Sequence, residues 1–146
     1  MAKILVVGSI NMDLVVRVPH SPQPGETVLG GDFETFPGGK GANQAVAAAR
    51  MGGDVTMVGR VGQDDFGNTL IKTLVDNQIR TTHVIKDSDA ATGIAMISVA
   101  ADGENSIVVA SGANYEVSEE DVNKARDLMR ETDILLVQLE CPLETV

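Results

Sequence analysis

The chain has 146 residues and a formal net charge of −10, and its length is that of a single domain. Hydrophobic residues make up 43% of the sequence and charged residues 22%, which excludes a disordered or fibrous chain. Aromatic residues make up only 3%, so the chain lacks the stacking surfaces that single-strand nucleic-acid binders use. The acidic balance also disfavours DNA, RNA or an anionic membrane surface. We therefore expect no nucleic-acid partner and no membrane partner.

The cysteine content and the N-terminal segment bear on the cellular compartment. Cys141 has no second cysteine with which to form an intrachain disulfide, which fits a reducing environment. The apolar run from Ile4 to Val7 is too short for a signal peptide, and no stretch approaches the length of a membrane span. These features predict a soluble, cytoplasmic protein.

Strand-like and helix-like segments alternate along the chain, which favours an α/β architecture. The first strand is a continuous run of Leu and β-branched residues, as expected for a strand that is buried on both faces. In chain order, the predicted elements are strands at 4–7 and 9–18, a proline- and glycine-rich loop at 20–31, a helix at 42–51, a strand at 54–61, a helix at 65–78, a strand hairpin at 92–100 and 105–110, a helix at 119–130 and a strand at 133–140.

The first candidate site lies where the second strand begins. Side chains alternate along a strand, so Ser9, Asn11 and Asp13 share one face. An amide and a carboxylate two residues apart can donate to one ligand hydroxyl and accept from another. Taken alone, the same residues are more typical of local turn bonds at a strand end.

The second candidate site is the glycine cluster GGKGAN at 38–43. Glycines such as Gly39 let backbone N–H groups approach a ligand, Lys40 adds a positive charge, and Asn43 lies in the first turn of the helix that follows. The spacing is neither that of a phosphate-binding P-loop nor that of the dinucleotide fingerprint. An ordinary glycine-rich turn is the alternative.

The remaining polar candidates are single residues. Glu140 ends the last predicted strand, where ligands bind in open α/β sheets, although a solvated loop glutamate is the alternative. Helix N-capping explains Asp64 and Asp65 more simply than a metal site does. His20 and His83 show no ligand-type spacing, and we predict no metal site in the chain.

Together these segments closely resemble the ribokinase branch of the PfkB-type carbohydrate kinases. The resemblance extends over the whole chain, and GGKGAN is its most specific motif. The matching stretches, in family order, are 7–13, 24–27, 38–48, 61–67, 92–95, 111–114 and 138–144.

The resemblance implies a ribokinase-like three-layer α/β/α sandwich with a small β lid, here comprising about 14–36 and the hairpin 92–110. It implies transfer of the ATP γ-phosphoryl group to the primary hydroxyl of a sugar, with ribose to ribose 5-phosphate as the expected reaction. The sugar-binding residues that it implies are Asn11, Asp13, Gly39, Lys40, Asn43 and Glu140, with Ile94 and Met96 as an apolar wall from the lid.

The chain also departs from the family pattern. The Gly-Ala-Gly-Asp-type segment that supplies the catalytic aspartate has no counterpart among the 146 residues, and neither do the nucleotide-binding loops or the monovalent-cation site. General-base and phosphoryl-stabilising groups are both required for this chemistry. We therefore expect the N-terminal portion of the fold, truncated before the nucleotide-binding half and inactive alone, with no catalytic, cofactor or metal residue within it. The catalytic aspartate is expected beyond Val146.

For the complete enzyme, the resemblance implies ATP, Mg²⁺, a monovalent cation such as K⁺, and a homodimer formed through the lids. Two alternatives stay open at this stage. One is a non-catalytic sugar-binding or interaction module. The other is a kinase of the same family that acts on another sugar or on a nucleoside.

Overall fold

The structure is a computed structural model that describes residues 1–146, from Met1 to Val146. It contains eight strands, four α-helices and one 3-10 helix. The strands are β1 (Lys3–Val7), β2 (Asn11–Val18), β3 (Phe33–Gly38), β4 (Asp54–Gly62), β5 (Arg80–Asp87), β6 (Gly93–Ala100), β7 (Asn105–Ala110) and β8 (Ile134–Val137). The helices are α1 (Lys40–Arg50), α2 (Asp65–Asp76), α3 (Glu119–Lys124) and α4 (Arg126–Glu131), with the 3-10 helix at Gly112–Glu116.

The first sheet is entirely parallel and has the strand order β5-β4-β1-β8. On one face, Val6 packs in a core cluster with Ala45 of α1 and Leu70 of α2. On the other face, Leu5 and Val7 of the same strand pack against residues of α3 and α4. Because β1 is apolar on both faces, it forms the middle of three layers. The predicted α/β/α sandwich is therefore confirmed.

The second sheet has the strand order β3-β2-β6-β7. Strands β2 and β6 run parallel, whereas β3 and β7 are antiparallel to their neighbours. These strands occupy the segments predicted as the lid, although pairing begins at Asn11 and extends to Gly38, and residues 19–32 form no strand. Asp13, Ala95 and Val109 share one face of this sheet, since they are direct cross-strand neighbours.

Glycines allow α1 to approach the turn that connects the two sheets. A side-chain carbon at Gly41, in the first turn of α1, would lie 2.6 Å from the backbone atoms Gly8 C and Ser9 N. The backbone N–H of Ala42 donates to Ser9 O at 2.9 Å. The start of α1 therefore lies directly against the turn that connects β1 to β2.

Asp64 has a structural role that joins α2 to the second sheet. Its carboxylate accepts from the backbone N–H of Gly67 at 2.8 Å, which confirms the predicted helix N-cap. It also accepts from Thr92 N at 2.8 Å and from Thr92 Oγ1 at 2.6 Å. Thr92 directly precedes β6, so Asp64 fixes the point where that strand begins.

Four details differ from the sequence-based elements. Strands β3 and β5 were not predicted, because each lies at a sheet edge and carries the polar residues or proline that edge strands tolerate. The helix predicted at 119–130 is interrupted at Ala125, which divides it into α3 and α4. The last strand ends at Val137 rather than at 140. No α-helix in the structure combines the length and the apolar character needed to cross a bilayer.

The close contact at Gly41 makes a prediction about stability. Replacing a helical glycine with alanine ordinarily stabilises a helix by roughly 0.5–1 kcal/mol. Here we expect Gly41→Ala to lower the free energy of unfolding by about 1–3 kcal/mol, because the added methyl group meets backbone that must move. Urea unfolding of the purified protein measures the change.

Gly31→Ala is the matched control, since its added carbon would lie 3.8 Å from the nearest neighbouring heavy atom. Equal or greater stability for Gly41→Ala would contradict the packing described above.

Candidate active site

The polar residues that the sequence singled out lie around one depression at the carboxyl edge of the first sheet. Its volume is about 160 Å³, smaller than the roughly 300–1,000 Å³ of pockets for drug-sized ligands. Its lining contains all six of the predicted polar and glycine positions: Asn11, Asp13, Gly39, Lys40, Asn43 and Glu140. A second depression of about 230 Å³ adjoins it and shares Asn11, Val109 and Glu140.

Three chain segments meet at this depression because of the strand order. Strands β1 and β8 are parallel neighbours, so the turn after β1 and Glu140, three residues beyond β8, lie at the same edge. The third segment is the start of α1, which is preceded by Gly39 at φ 92°. A side chain at Gly39 would lie 2.7 Å from Asn11 N and Ser9 O, so glycine is required both by its backbone conformation and by its contacts.

Glu140 is held by two donors. Ser9 Oγ donates to Glu140 Oε2 at 2.9 Å, and the Lys40 ammonium forms an ion pair with Oε1. Burial opposes ionisation of this carboxyl, but the hydrogen bonds from Lys40 and Ser9 outweigh it and lower the pKa of Glu140. Glu140 is therefore a fixed carboxylate with both oxygens directed by neighbouring groups.

Asp13 has the opposite electrostatic character. Burial raises the pKa of Asp13, the negative charge of Glu140 raises it further, and Lys40 opposes both effects. The carboxylate occupies the space that a side chain at Gly38, the cross-strand partner of Asn11, would fill. Asp13 thus combines partial burial with a lysine charge nearby, which suits a carboxylate that accepts hydrogen bonds from a neutral ligand.

The apolar side of the depression differs from the expected wall of Ile94 and Met96. It is formed by Ala95 and Ile97 of β6, together with Ile107 and Val109 of β7. Alternation along β6 turns Ile94 and Met96 to the opposite face. Ile94 packs against the main core there, and Met96 lines an open apolar surface. The expected wall was thus placed one residue out of register.

Two buried amides at the site were not singled out from the sequence. Gln138 Oε1 accepts from Ser9 N at 3.0 Å. Asn114 accepts from Ile10 N at 2.9 Å and donates to Asn11 Oδ1 at 2.6 Å. In the sequence they are distinguished only by lying in the matching stretches 111–114 and 138–144. A polar amide that will be buried cannot be told from a turn residue until its hydrogen-bond partners are known.

A larger cavity of about 300 Å³ lies between α1 and α2. It shares Gly38 and Asn43 with the site region, but its remaining lining is the flank of the main core and the helix surfaces. No group of three or more His, Cys, Asp or Glu side chains in the structure is arranged to hold a metal ion. Cys141 is buried, which raises the pKa of its thiol, and its Sγ donates to Gln138 O at 3.2 Å.

The sequence profile of the pfkB family carbohydrate kinases matches residues 1–145. The chain belongs to this family. The ribokinase of Bacillus subtilis is 47% identical over 146 residues, which are 100% of this chain and 50% of that protein. The deoxyribokinase of Salmonella typhi is 41% identical over 143 residues, which are 98% of this chain and 47% of that protein.

Solved structures of the family have the same fold. The Arabidopsis thaliana ribokinase complexed with ribose and ATP superimposes with a TM-score of 0.83 at 34% identity, over 97% of this chain and 47% of that one. The Giardia lamblia ribokinase superimposes with a TM-score of 0.90 at 34% identity, over 99% of this chain and 44% of that one. The chain thus spans about half the length of the relatives it matches.

The electrostatics of the site make a prediction about Asp13. We expect Glu140→Gln to lower the pKa of Asp13, because the substitution removes a nearby negative charge and frees Lys40 from its ion pair. Titration of the Asp13 carboxyl carbon by NMR measures the shift. Glu144→Gln, in the exposed C-terminal turn, should leave that pKa unchanged. An unchanged or higher pKa in Glu140→Gln would show that the two carboxylates do not interact.

Proposed function

We propose that the protein containing this chain is an ATP-dependent sugar kinase that phosphorylates ribose at its primary hydroxyl, giving ribose 5-phosphate. The observation that carries the proposal is the convergence of Asn11, Asp13, Lys40 and Glu140 around one small depression. Membership of the pfkB family and the resemblance to ribokinases support the reaction class. Ribose is preferred among sugars because the Bacillus relative is a ribokinase and the Arabidopsis structure contains ribose.

The chemistry of the site suits a polyhydroxylated molecule. The carboxylates of Asp13 and Glu140 accept hydrogen bonds, whereas the Lys40 ammonium and the side-chain amides of Asn11 and Asn43 can donate them. Each sugar hydroxyl both donates and accepts, so a ring of mixed donors and acceptors can satisfy several hydroxyls at once. The apolar side of the depression supplies contact for the carbon skeleton. We assign these residues to sugar binding.

The residues present do not fit a nucleotide or magnesium site. The structure has no acidic cluster for a divalent ion, and the glycine cluster lacks P-loop spacing. ATP binding, Mg²⁺ and K⁺ are therefore assigned to the complete enzyme, and no step of phosphoryl transfer is derived from these residues. We likewise assign the catalytic aspartate to the part of the complete enzyme beyond Val146. The 146-residue chain is expected to show no turnover by itself.

The test is an assay of the complete protein with ATP, Mg²⁺ and a panel of ribose, 2-deoxyribose, fructose and adenosine. The proposal predicts phosphorylation of ribose with the highest kcat/KM of the panel. The Salmonella relative is a deoxyribokinase, and a preference for 2-deoxyribose would make that sugar, rather than ribose, the proposed substrate. Sugar binding without any phosphorylation would instead support a non-catalytic binding module.

Asp13 provides the sharpest test of the sugar-binding assignment. We expect Asp13→Ala to weaken ribose binding by roughly 100-fold or more, because a site built around sugar hydroxyls loses a charged acceptor. Calorimetric titration of ribose into the complete protein measures the effect. Asp127→Ala, at a side chain that is 98% exposed, is the matched control and should bind as the wild type does. Equal affinity of the Asp13 variant and the wild type for ribose would show that Asp13 does not bind the sugar.

We also propose that the second sheet is a lid over the sugar and that its outer face joins two copies of the protein. Its inner face carries Ala95 and Ile97 at the depression, and its outer face exposes large apolar side chains. Phe33 is 63% exposed and Val108 is 61% exposed on that outer face. Apolar surface of this kind is characteristic of interaction sites.

Val108→Glu tests the proposed dimer. We expect it to shift the complete protein towards the monomer, because a charge would have to be buried at the interface. Sedimentation velocity measures the change. Val75→Glu, which introduces the same charge at an exposed position of α2, should leave the assembly unchanged. A wild-type protein that is monomeric at all concentrations, or a Val108 variant that stays dimeric, would contradict the proposed interface.

A further inference from the structure

Asn114 has only one orientation of its side-chain amide that is compatible with its surroundings. It lies in the 3-10 helix, is 1% exposed, and faces the backbone N–H of Ile10 at 2.9 Å. A backbone N–H can only donate, so the side-chain atom that it meets must be the oxygen of Asn114. The nitrogen of the same amide is thereby directed at Ile10 O, at 3.2 Å, and at Asn11 Oδ1, at 2.6 Å.

This orientation determines that of Asn11 in turn. The Asn114 nitrogen is a donor, so the Asn11 atom that it meets must be an acceptor, which is Oδ1. The Asn11 oxygen is then occupied by Asn114. The Asn11 nitrogen makes no hydrogen bond within the chain and is not fully buried, so its two N–H groups are available to a ligand in the depression that Asn11 lines.

The surrounding backbone is shaped to hold this pair of amides. A side-chain carbon at Gly93 would collide with both Asn114 Nδ2 and Asn11 Oδ1. Gly112 has φ 49°, and the backbone N–H of Ala113 donates to Ala91 O at 2.8 Å, which fixes the turn that carries Asn114. The start of β6 and the start of the 3-10 helix thus leave room for the two amides and no more.

We propose that Asn114 is a positioning residue that makes Asn11 a hydrogen-bond donor towards the sugar and prevents it from acting as an acceptor. This inference rests on the proposed sugar-binding function of the site. Asn11 then donates to one sugar hydroxyl while Asp13, two residues along the same face of β2, accepts from another group. The order of donor and acceptor along β2 becomes a determinant of which hydroxyl arrangements the site accepts.

The variant Asn114→Asp reverses this arrangement with little change of shape. One oxygen of the new carboxylate can still accept from Ile10 N–H, while the other faces Asn11 Oδ1 and the backbone oxygen of Ile10. Acceptors in contact repel, and the Ile10 carbonyl cannot reverse, so Asn11 turns its nitrogen towards the ionised carboxylate and its oxygen towards the sugar. Asn105→Asp, at an exposed position at the far end of the β6–β7 hairpin, is the matched control for charge and side-chain chemistry.

The experiment measures the affinity of the complete protein for ribose and for a set of monodeoxy riboses by calorimetry. In the wild type, the analogue that lacks the hydroxyl bonded to Asn11 should bind roughly 10- to 100-fold more weakly than ribose. In Asn114→Asp that hydroxyl has to redirect its single proton to the Asn11 oxygen and lose the acceptor to which it donated before, so that ratio should fall, whereas the ratios for the other analogues stay as they are. A general structural defect would instead weaken all sugars together and keep every ratio. Asn105→Asp should retain all wild-type ratios.

The outcomes separate this inference from the proposed function. If the wild type binds none of the sugars, the proposed function fails. If the wild type binds ribose but Asn114→Asp keeps every ratio, Asn114 does not position Asn11 and the inference fails.

A measurement on the unmodified protein decides the case in which Asn114→Asp does not fold. In ¹⁵N-edited NMR spectra, ribose should shift the side-chain NH₂ resonances of Asn11, while those of Asn114 stay protected from solvent exchange. Ribose-dependent shifts at Asn114 with none at Asn11 would overturn the assignment of roles.

Discussion

The site depends on the close approach of two backbone segments, the turn after β1 and the first turn of α1. Contact at this distance is possible only because Gly8 and Gly41 carry no side chains at the point where they meet. The turn leads into β2, which carries Asn11 and Asp13, and the helix carries Lys40. Packing the two segments together therefore fixes the separation of acceptor and cation before any ligand is bound. Because these groups are already held in place, less conformational entropy is lost when a ligand binds.

The balance of charge within the site follows from the same packing. Asp13 and Glu140 repel each other, and the charge of Lys40 compensates both, most directly Glu140 through the ion pair. The two carboxylates therefore have opposite pKa shifts although both are partly buried. Glu140 takes the ion pair and the Ser9 hydroxyl, whereas Asp13 has weaker compensation and so a greater electrostatic need for hydrogen-bond donors. A neutral polyol meets that need without introducing a further charge into the site.

Much of the fold and of the polar side of the site could be predicted from the sequence, but the remainder depends on pairings that a single sequence does not encode. The alternation of residues showed that Asn11 and Asp13 share a face, yet only the neighbouring position of β1 and β8 brings Glu140 to them. In β6, residues 94–97 are all apolar, so periodicity could not reveal which face meets the site. Strands β3 and β5 were missed because edge strands need not be apolar. Asn114 resembled a turn residue because its partners Ile10 and Asn11 lie more than 100 positions away.

We propose that these separated side chains bind one sugar molecule at the carboxyl edge of the parallel sheet. The most direct measurement is a crystal structure of the complete protein with ribose at saturating concentration. We expect one sugar in the depression beneath Ala95 and Ile97, with one hydroxyl donating to the Asp13 carboxylate and another accepting from Asn11 Nδ2. Ribose bound elsewhere, or bound in the depression without contacts to Asp13 and Asn11, would contradict it.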